Sequence, residues 1–488
     1  MPASKLRILD GASCIGGNKI VLELGGDSAL LDFGINMKRK REYALGYRAL
    51  TIANKLYYYL YSEILPKVSG IYRSDLLKLD ERVRDLLEKG EGVNASLCVV
   101  SHAHVDHYGS IGFLSEEIKL AVSRSMKTIM ETALETSAAY DVESEVFRMR
   151  DRSSKGSDRL ERRVEVFEEG SKIGGAPFRL VPHPIDHSIP ASFGFLAEDL
   201  SLAYTGDIRR HGILRSLTDE FVRRIEGVDY LLIEGTRIDS SIRVPEEEVS
   251  AEIKRYVVEK GDKLVCVITS PTDIDRIRDL IKLSEEVGRI PVVCPRSAYL
   301  IDRLMASKTR IKLPDLSNVG IYFERRSLGG GGYELASQHY RPWLRRVYSD
   351  RLDGRRPGFL VKSEDVARRQ ERYLMILNGL DYVLELAQIK PRPGSRVIVS
   401  TSEPHDEEQE IEWSKFERWI NLLRLDLRIA HSSGHADRET LIEIIEEVKP
   451  RKLIPIHTEN PYEFQRLARI GEIKSEVLIP EVGKPIPL

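Results

Sequence analysis

The chain has 488 residues, 42% of them apolar and 31% charged, which suits two folded domains and excludes a disordered polymer. Its 74 basic and 76 acidic residues leave a formal net charge of −2, so a polyanionic partner would have to be met by a local positive field. The cysteines Cys14, Cys98, Cys266 and Cys294 form no CxxC pair and read as free thiols in a reducing compartment. No apolar signal core opens the chain and no run reaches membrane-spanning length, so a cytoplasmic protein without a membrane partner is expected.

From the N-terminus, short β-rich runs alternate with turns: KIVLEL, ALLDFG, ASLCVVSHAH, FRLVPHPI, SFGFLA, LSLAYTGD and VDYLLIEGT. Several lead directly into a polar side chain, namely Asp32, His102, His187, Asp207 and Glu234. Residues so placed gather at one edge of a sheet, where loops build sites. Between Asp32 and His102, YALGYRALTIANKLYYYLYSEIL has Leu45, Ile52, Leu56, Leu60 and Ile64 at helical spacing, which predicts one amphipathic helix. From about residue 237 the texture becomes α/β: a helix near VPEEEVSAEIKRYVVEK, a strand KLVCVITS, a helix DIDRIRDLIKLSEEVG and a strand IPVVCP. This pattern predicts a parallel sheet. SLGGGGYELAS reads as a loop, and a second series from SRVIVSTSE through LRIAHSSGHADRETLIEIIEEVKPRKLIPIHTE closes the chain.

The densest chemistry is HAHVDH at 102–107. His102 and His104, two apart on an extended run, point to one side and can bind one ion; Asp106 and His107 follow in the turn and can bind another. Imidazole with carboxylate suits Zn²⁺ or Mn²⁺. Strand ends offer further ligands: His187, Asp207 as a bridging carboxylate, and His457. Asp32 suits a supporting role behind a ligand or a bound water. By residue type alone, His183 in VPHPIDH competes equally with His187.

The order Asp32, HxHxDH, His187, Asp207 resembles the metallo-β-lactamase superfamily, which implies an αββα sandwich holding two zinc ions. His187 followed by SIP matches the third motif of that family and favours it over His183. Glu234 in IEGT, His435 in SSGHA and His457 in PIHTE are similar to the further motifs of the β-CASP nucleases. The HSSGHA stretch makes ribonuclease J-like enzymes the nearest resemblance, with the nuclease subunit that cleaves pre-mRNA at its 3′ end also similar. The resemblance implies an α/β fold, with a metallo-β-lactamase domain at 1–236 and 429–488 and a β-CASP domain inserted at 237–428. It implies His102, His104 and His187 on one zinc, Asp106, His107 and His457 on the other, and Asp207 bridging. His435, positioned by Glu234, would act on the scissile phosphate or the leaving oxygen.

Two cations about 3.5–4 Å apart can clamp both sides of an in-line displacement at phosphorus and lower the pKa of an attacking water. A histidine held by a glutamate is a suitable general acid for the departing 3′ oxygen. The expected enzyme is therefore a zinc-dependent ribonuclease leaving 5′-phosphate and 3′-hydroxyl ends, with Mn²⁺ as an alternative metal. The resemblance favours single-stranded RNA, because RNA-cutting members tend to carry histidine where His457 stands. It also favours a 5′-to-3′ exonuclease, with endonuclease action alongside, and assigns His431, Ser433 and Gly434 to a substrate phosphate.

The basic stretch at 341–359 carries Arg341, Arg345, Arg346, Arg355 and Arg356 with Trp343 among them, a composition suited to a single-strand channel. KRKR at 38–41 and the tyrosines Tyr57, Tyr58, Tyr59 and Tyr61 are weaker candidates for the same task. The short stretch after His457 leads us to expect no further C-terminal domain of the bacterial ribonuclease J kind. A β-CASP DNA nuclease and an inactive scaffold of an RNA-processing complex are the rival readings, and a homodimer or RNA-decay partners stay open.

Overall fold

The computed structural model describes residues 3–44, 50–88, 90–137, 141–152, 159–323, 343–344, 359–401 and 407–488. The chain divides into two compact units, one of residues 1–131, 137–243 and 434–488, the other of 132–136 and 244–433. Set beside the boundaries read from sequence, the first unit takes in 237–243 and yields 429–433.

The first unit holds two sheets. In the seven-stranded sheet, Ser4–Asp10, Lys19–Leu24 and Asp27–Phe33 form an antiparallel meander, and Asp27–Phe33, Ala95–Val99, Lys119–Ser123 and Val164–Phe167 then run parallel. In the six-stranded sheet, Leu202–Tyr204, Tyr230–Glu234 and Lys452–Ile456 run parallel. Leu180–Ile185 shares their direction, because Ser192–Ala197 is antiparallel to both it and Leu202–Tyr204. The inner faces meet: Phe167 packs edge-on against Phe193 at 5.1 Å, and the Tyr204 hydroxyl reaches Asp32. The outer face of the six-stranded sheet buries Leu231, Ile233 and Leu453 under Phe221, Ile444 and Phe464, which come from the helices Arg215–Arg224, Arg438–Val448 and Pro461–Arg469. Each such large apolar side chain contributes roughly 1.5–3 kcal/mol when fully buried. The paired sheets with flanking helices are the αββα sandwich of the metallo-β-lactamase fold.

The second unit is built on an all-parallel sheet in the order Phe359–Val361, Gly320–Tyr322, Ile290–Val293, Tyr373–Leu377, Val265–Ile268, Arg396–Val399, Asp426–Ile429. Its central strands, VCVI, YLMIL and RVIV, are apolar without alternation, as strands covered on both faces must be. The helices Glu246–Val258 and Ile274–Glu286 occur where the sequence pattern predicts them.

Two expectations change. Of the helix expected across 43–65, the described part is Ile52–Tyr61, with Leu45 outside the described residues. Ile64 is buried but follows the helix, because Glu63 takes a left-handed backbone at φ 59° and ends the regular turns. The KRKR cluster is largely committed to ion pairs, Lys38 with Glu459 at 2.7 Å, Arg39 with Glu63 at 3.5 Å and Lys40 with Glu143 at 2.7 Å. Among the described residues no helix is long and apolar enough to cross a membrane.

Candidate metal centre

Parallel strands explain why distant residues converge. Leu31 pairs with Val99, so Asp32 and the stretch Ser101–His107 leave the seven-stranded sheet at one edge. Tyr204 pairs with Leu232, and Glu234 with Ile456, so Asp207, Glu234 and His457 emerge together from the other sheet. His187 follows a strand of the same direction. After His102 and His104, which follow the strand Ala95–Val99 in a bend, one helical turn, Val105–Tyr108, presents Asp106 and His107.

The side chains form two groups sharing one carboxylate: His102, His104, His187 and Asp207, and Asp106, His107, Asp207 and His457. Within each group the ligand atoms lie within 4.8 Å of one another. In the first, His104 Nδ1 lies 3.0 Å from His102 Nε2 and 3.2 Å from His187 Nε2. In the second, Asp106 Oδ2 lies 3.3 Å from His457 Nε2 and 3.8 Å from His107 Nε2. Asp207 Oδ2 stands 3.4 Å from His102 Nε2 and 3.2 Å from His107 Nε2, so this carboxylate faces both groups.

The outward ring nitrogens fix the tautomers. His187 Nδ1 donates to the Gly434 carbonyl at 2.6 Å, and His107 Nδ1 donates to Asp32 at 2.8 Å. His457 Nδ1 donates to the Thr236 hydroxyl at 2.8 Å, which itself donates to the His457 carbonyl at 3.3 Å. Ser101 Oγ donates to Asp32 at 2.7 Å and so accepts from His102 Nδ1 at 3.1 Å. Each of these four histidines therefore turns an Nε2 lone pair inward. Lone pairs brought this close repel unless a cation lies among them. His107 Nε2 and Asp207 Oδ1 are also buried without a hydrogen-bond partner, a costly arrangement in an interior with nothing to coordinate. The donor set fits a pair of divalent cations of the zinc or manganese class.

Burial biases the three imidazoles of the first group the same way. Desolvation drives His102 and His187 well below the usual histidine range and His104 down to about 4, which keeps these imidazoles neutral and ligating. Burial would raise Asp207, but His107, His457 and His102 outweigh it and hold the carboxyl well below its usual range.

Asp32 is fully buried at φ 58°, a left-handed backbone that aspartate tolerates better than most side chains. It accepts from the Ser101 amide at 2.7 Å and the Tyr204 hydroxyl at 2.6 Å, besides its bonds to Ser101 Oγ and His107. His457 too is left-handed, at φ 51°. Such backbone strain is sustained only by surroundings that over-determine it, and it concentrates at functional sites.

Beside the paired groups, His435 Nδ1 donates to Glu234 Oε1 at 3.1 Å. Burial opposes the imidazolium, yet Glu234 first, then Asp207 and Asp106, push the ring up to about 9. Glu234 is fixed in turn by the Thr236 amide at 2.9 Å.

Other expected residues fall differently. Gly434 offers its carbonyl to His187, and its backbone runs so close that a Cβ there would lie 2.7 Å from Ser188 Oγ and 2.9 Å from His187 Cε1. It therefore holds a ligand in place instead of lining an open phosphate pocket. His431 and Ser433 are half-buried and belong to the second unit. Trp343, expected to stack on bases, is buried, with its ring 6.1 Å from that of Tyr299. Arg341, Arg345, Arg346, Arg355 and Arg356 lie outside the described residues. His183 is half-buried on its strand beside Phe221 and apart from both groups. Thr236, Ser101 and Tyr204 escaped the sequence reading. Threonine, serine and tyrosine next to strands are too common to stand out, and only the acidic and imidazole neighbours of Thr236 hint at its task.

Residues 426–480 match the RMMBL family, described as a Zn-dependent metallo-hydrolase RNA specificity domain. Ribonuclease J of Sinorhizobium meliloti (strain Sm2011 / Rm2011 / 2011) is 23% identical over 375 residues, covering 75% of this chain. The aligned region spans 58% of that protein's length. A crystal structure of a protein of unknown function from Enterococcus faecalis V583 superposes over 100% of both chains, with a TM-score of 0.69 and 18% identity, a likeness of fold. These likenesses support a resemblance to the β-CASP, ribonuclease J-like branch of the metallo-β-lactamase superfamily.

Proposed function

We propose that this protein is a metal-dependent ribonuclease hydrolysing phosphodiester bonds of single-stranded RNA, with 5′-phosphate and 3′-hydroxyl products. The observation that carries the reading is the pair of ligand groups joined at Asp207, with His435 held by Glu234 beside them. Two divalent cations, zinc in our reading, would supply an activated water and neutralise charge on the phosphate. His102, His104 and His187 would hold one and Asp106, His107 and His457 the other, with Asp207 serving both. With its Nδ1 proton committed to Glu234, His435 would protonate the departing 3′ oxygen from Nε2–H as the P–O3′ bond breaks. The Glu234 contact, by keeping this ring protonated, prepares it for that donation. The RNA specificity domain at 426–480 and the ribonuclease J relative support RNA as substrate. We assign the action to 5′-to-3′ exonucleolysis in a cytoplasmic setting.

The test is product analysis on a 5′-labelled single-stranded RNA and a DNA of the same sequence. Labelled mononucleotide released first, from RNA and only with metal, is the expected result. Longer labelled fragments would replace exonuclease by endonuclease. Equal cutting of DNA would remove the RNA assignment, and no metal-dependent cutting would overturn the enzyme reading.

A further inference from the structure

We propose that the buried Asp10–Lys19 ion pair is a positioning device for the second ligand group, holding Gly11 and Gly17 so that their backbones fix His457 and Asp106. The proposal rests on the metal-centre reading above. Lys19 is fully buried, and its ammonium reaches Asp10 Oδ2 at 2.9 Å. Each partner of the pair grips one glycine. Lys19 Nζ donates to the Gly17 carbonyl at 3.1 Å, and Asp10 Oδ1 accepts from the Gly11 amide at 2.9 Å.

Each glycine in turn grips one candidate ligand. The Gly17 amide donates to the Asp106 carbonyl at 3.0 Å, and the Gly11 carbonyl accepts from the His457 amide at 2.7 Å. Two short chains of bonds thus leave one ion pair and end on two residues of the same ligand group. Among the described hydrogen bonds, the segment Gly11–Gly17 makes none to His102, His104 or His187. A pair serving the fold alone would have no reason to favour one group. Asn36, donating to Asp10 Oδ1 at 3.3 Å, closes the network at the start of the helix Met37–Glu42.

The carboxylate and ammonium are costly to bury, and an apolar pair of similar volume is often as stable. That allows the positioning role to be separated from folding. The experiment titrates Zn²⁺ into the metal-free full chain, as wild type, Lys19→Met and the double variant Asp10→Leu/Lys19→Met, with thermal unfolding of each. The double variant removes the grip on both glycines without leaving a lone buried charge. We expect wild type to bind two equivalents. Both variants should keep the first and bind the second about 10–100-fold more weakly, the range typical of lost outer-shell support. Equal weakening of both equivalents in a cooperatively folded double variant, or no weakening of either, would overturn the proposal alone. Fewer than two equivalents on the wild type would overturn the metal-centre reading, and this proposal with it.

Discussion

The two ligand groups share Asp207 but are supported differently. The first is rich in nitrogen, and two of its three histidines lie two residues apart in one bend. Its outward contacts are few: Ser101 behind His102 and the Gly434 carbonyl behind His187. The second draws Asp106 and His107 from one helical turn and His457 from a strand end far along the chain. It leans on Asp32, Thr236 and the backbones of Gly11 and Gly17. A group rich in neutral imidazoles needs little scaffolding. One that gathers carboxylates and a left-handed histidine must be held from outside. The second position should therefore be the weaker and the more easily perturbed of the two.

The largest effect should come from removing what the groups share. Asp207→Ala takes a carboxylate from both and leaves buried imidazoles unbalanced. Both equivalents should weaken, and RNA hydrolysis should fall by more than the roughly 100-fold that loss of an outer-shell partner brings. Retention of one tight equivalent would show that Asp207 serves a single ion, and metal analysis beside a rate assay reads this directly. His435→Ala comes next. General acid catalysis contributes typically about 10²–10⁴-fold, so turnover should drop by that range with both metals kept. If metal is lost instead, His435 belongs with Glu234 and His457 as a third cluster, whose ligand atoms lie within the same 4.8 Å.

Thr236→Val keeps the shape but loses the bond to His457 Nδ1, so the second equivalent should weaken about tenfold while the first holds. A calorimetric titration resolving the two steps decides it. Gly434→Ala is the mirror test on the first group. The new Cβ would crowd Ser188 and His187, and because the Ser188 hydroxyl can rotate away, we expect only a several-fold loss, confined to the first equivalent. Loss from the wrong step in either variant would erase the contrast between the groups.

How much of this could be read from the residues depends on how local each feature is. HAHVDH announces itself, because no ordinary loop concentrates imidazole and carboxylate so tightly. His187, Asp207 and His457 needed the strand pattern and the resemblance together, since a single polar residue after an apolar run is common. The parallel sheet of the second unit was legible from unalternating apolar strands between amphipathic helices. The end of the helix Ile52–Tyr61 before Ile64 was not, because helical spacing of apolar residues carries no mark of a left-handed Glu63. Trp343 shows a similar limit: arginines around a tryptophan look like a nucleic-acid channel whether its ring is exposed or buried. The supports of the second group were least visible of all. Gly11 and Gly17 act through backbone atoms, and Lys19 resembles any strand lysine until its burial is known.

The most direct test follows RNA hydrolysis while the metal-free full chain is titrated with Zn²⁺. The account predicts little cleavage through the first equivalent and a rise that tracks occupancy of the second. Full activity at one equivalent, or none after both are bound, would contradict it.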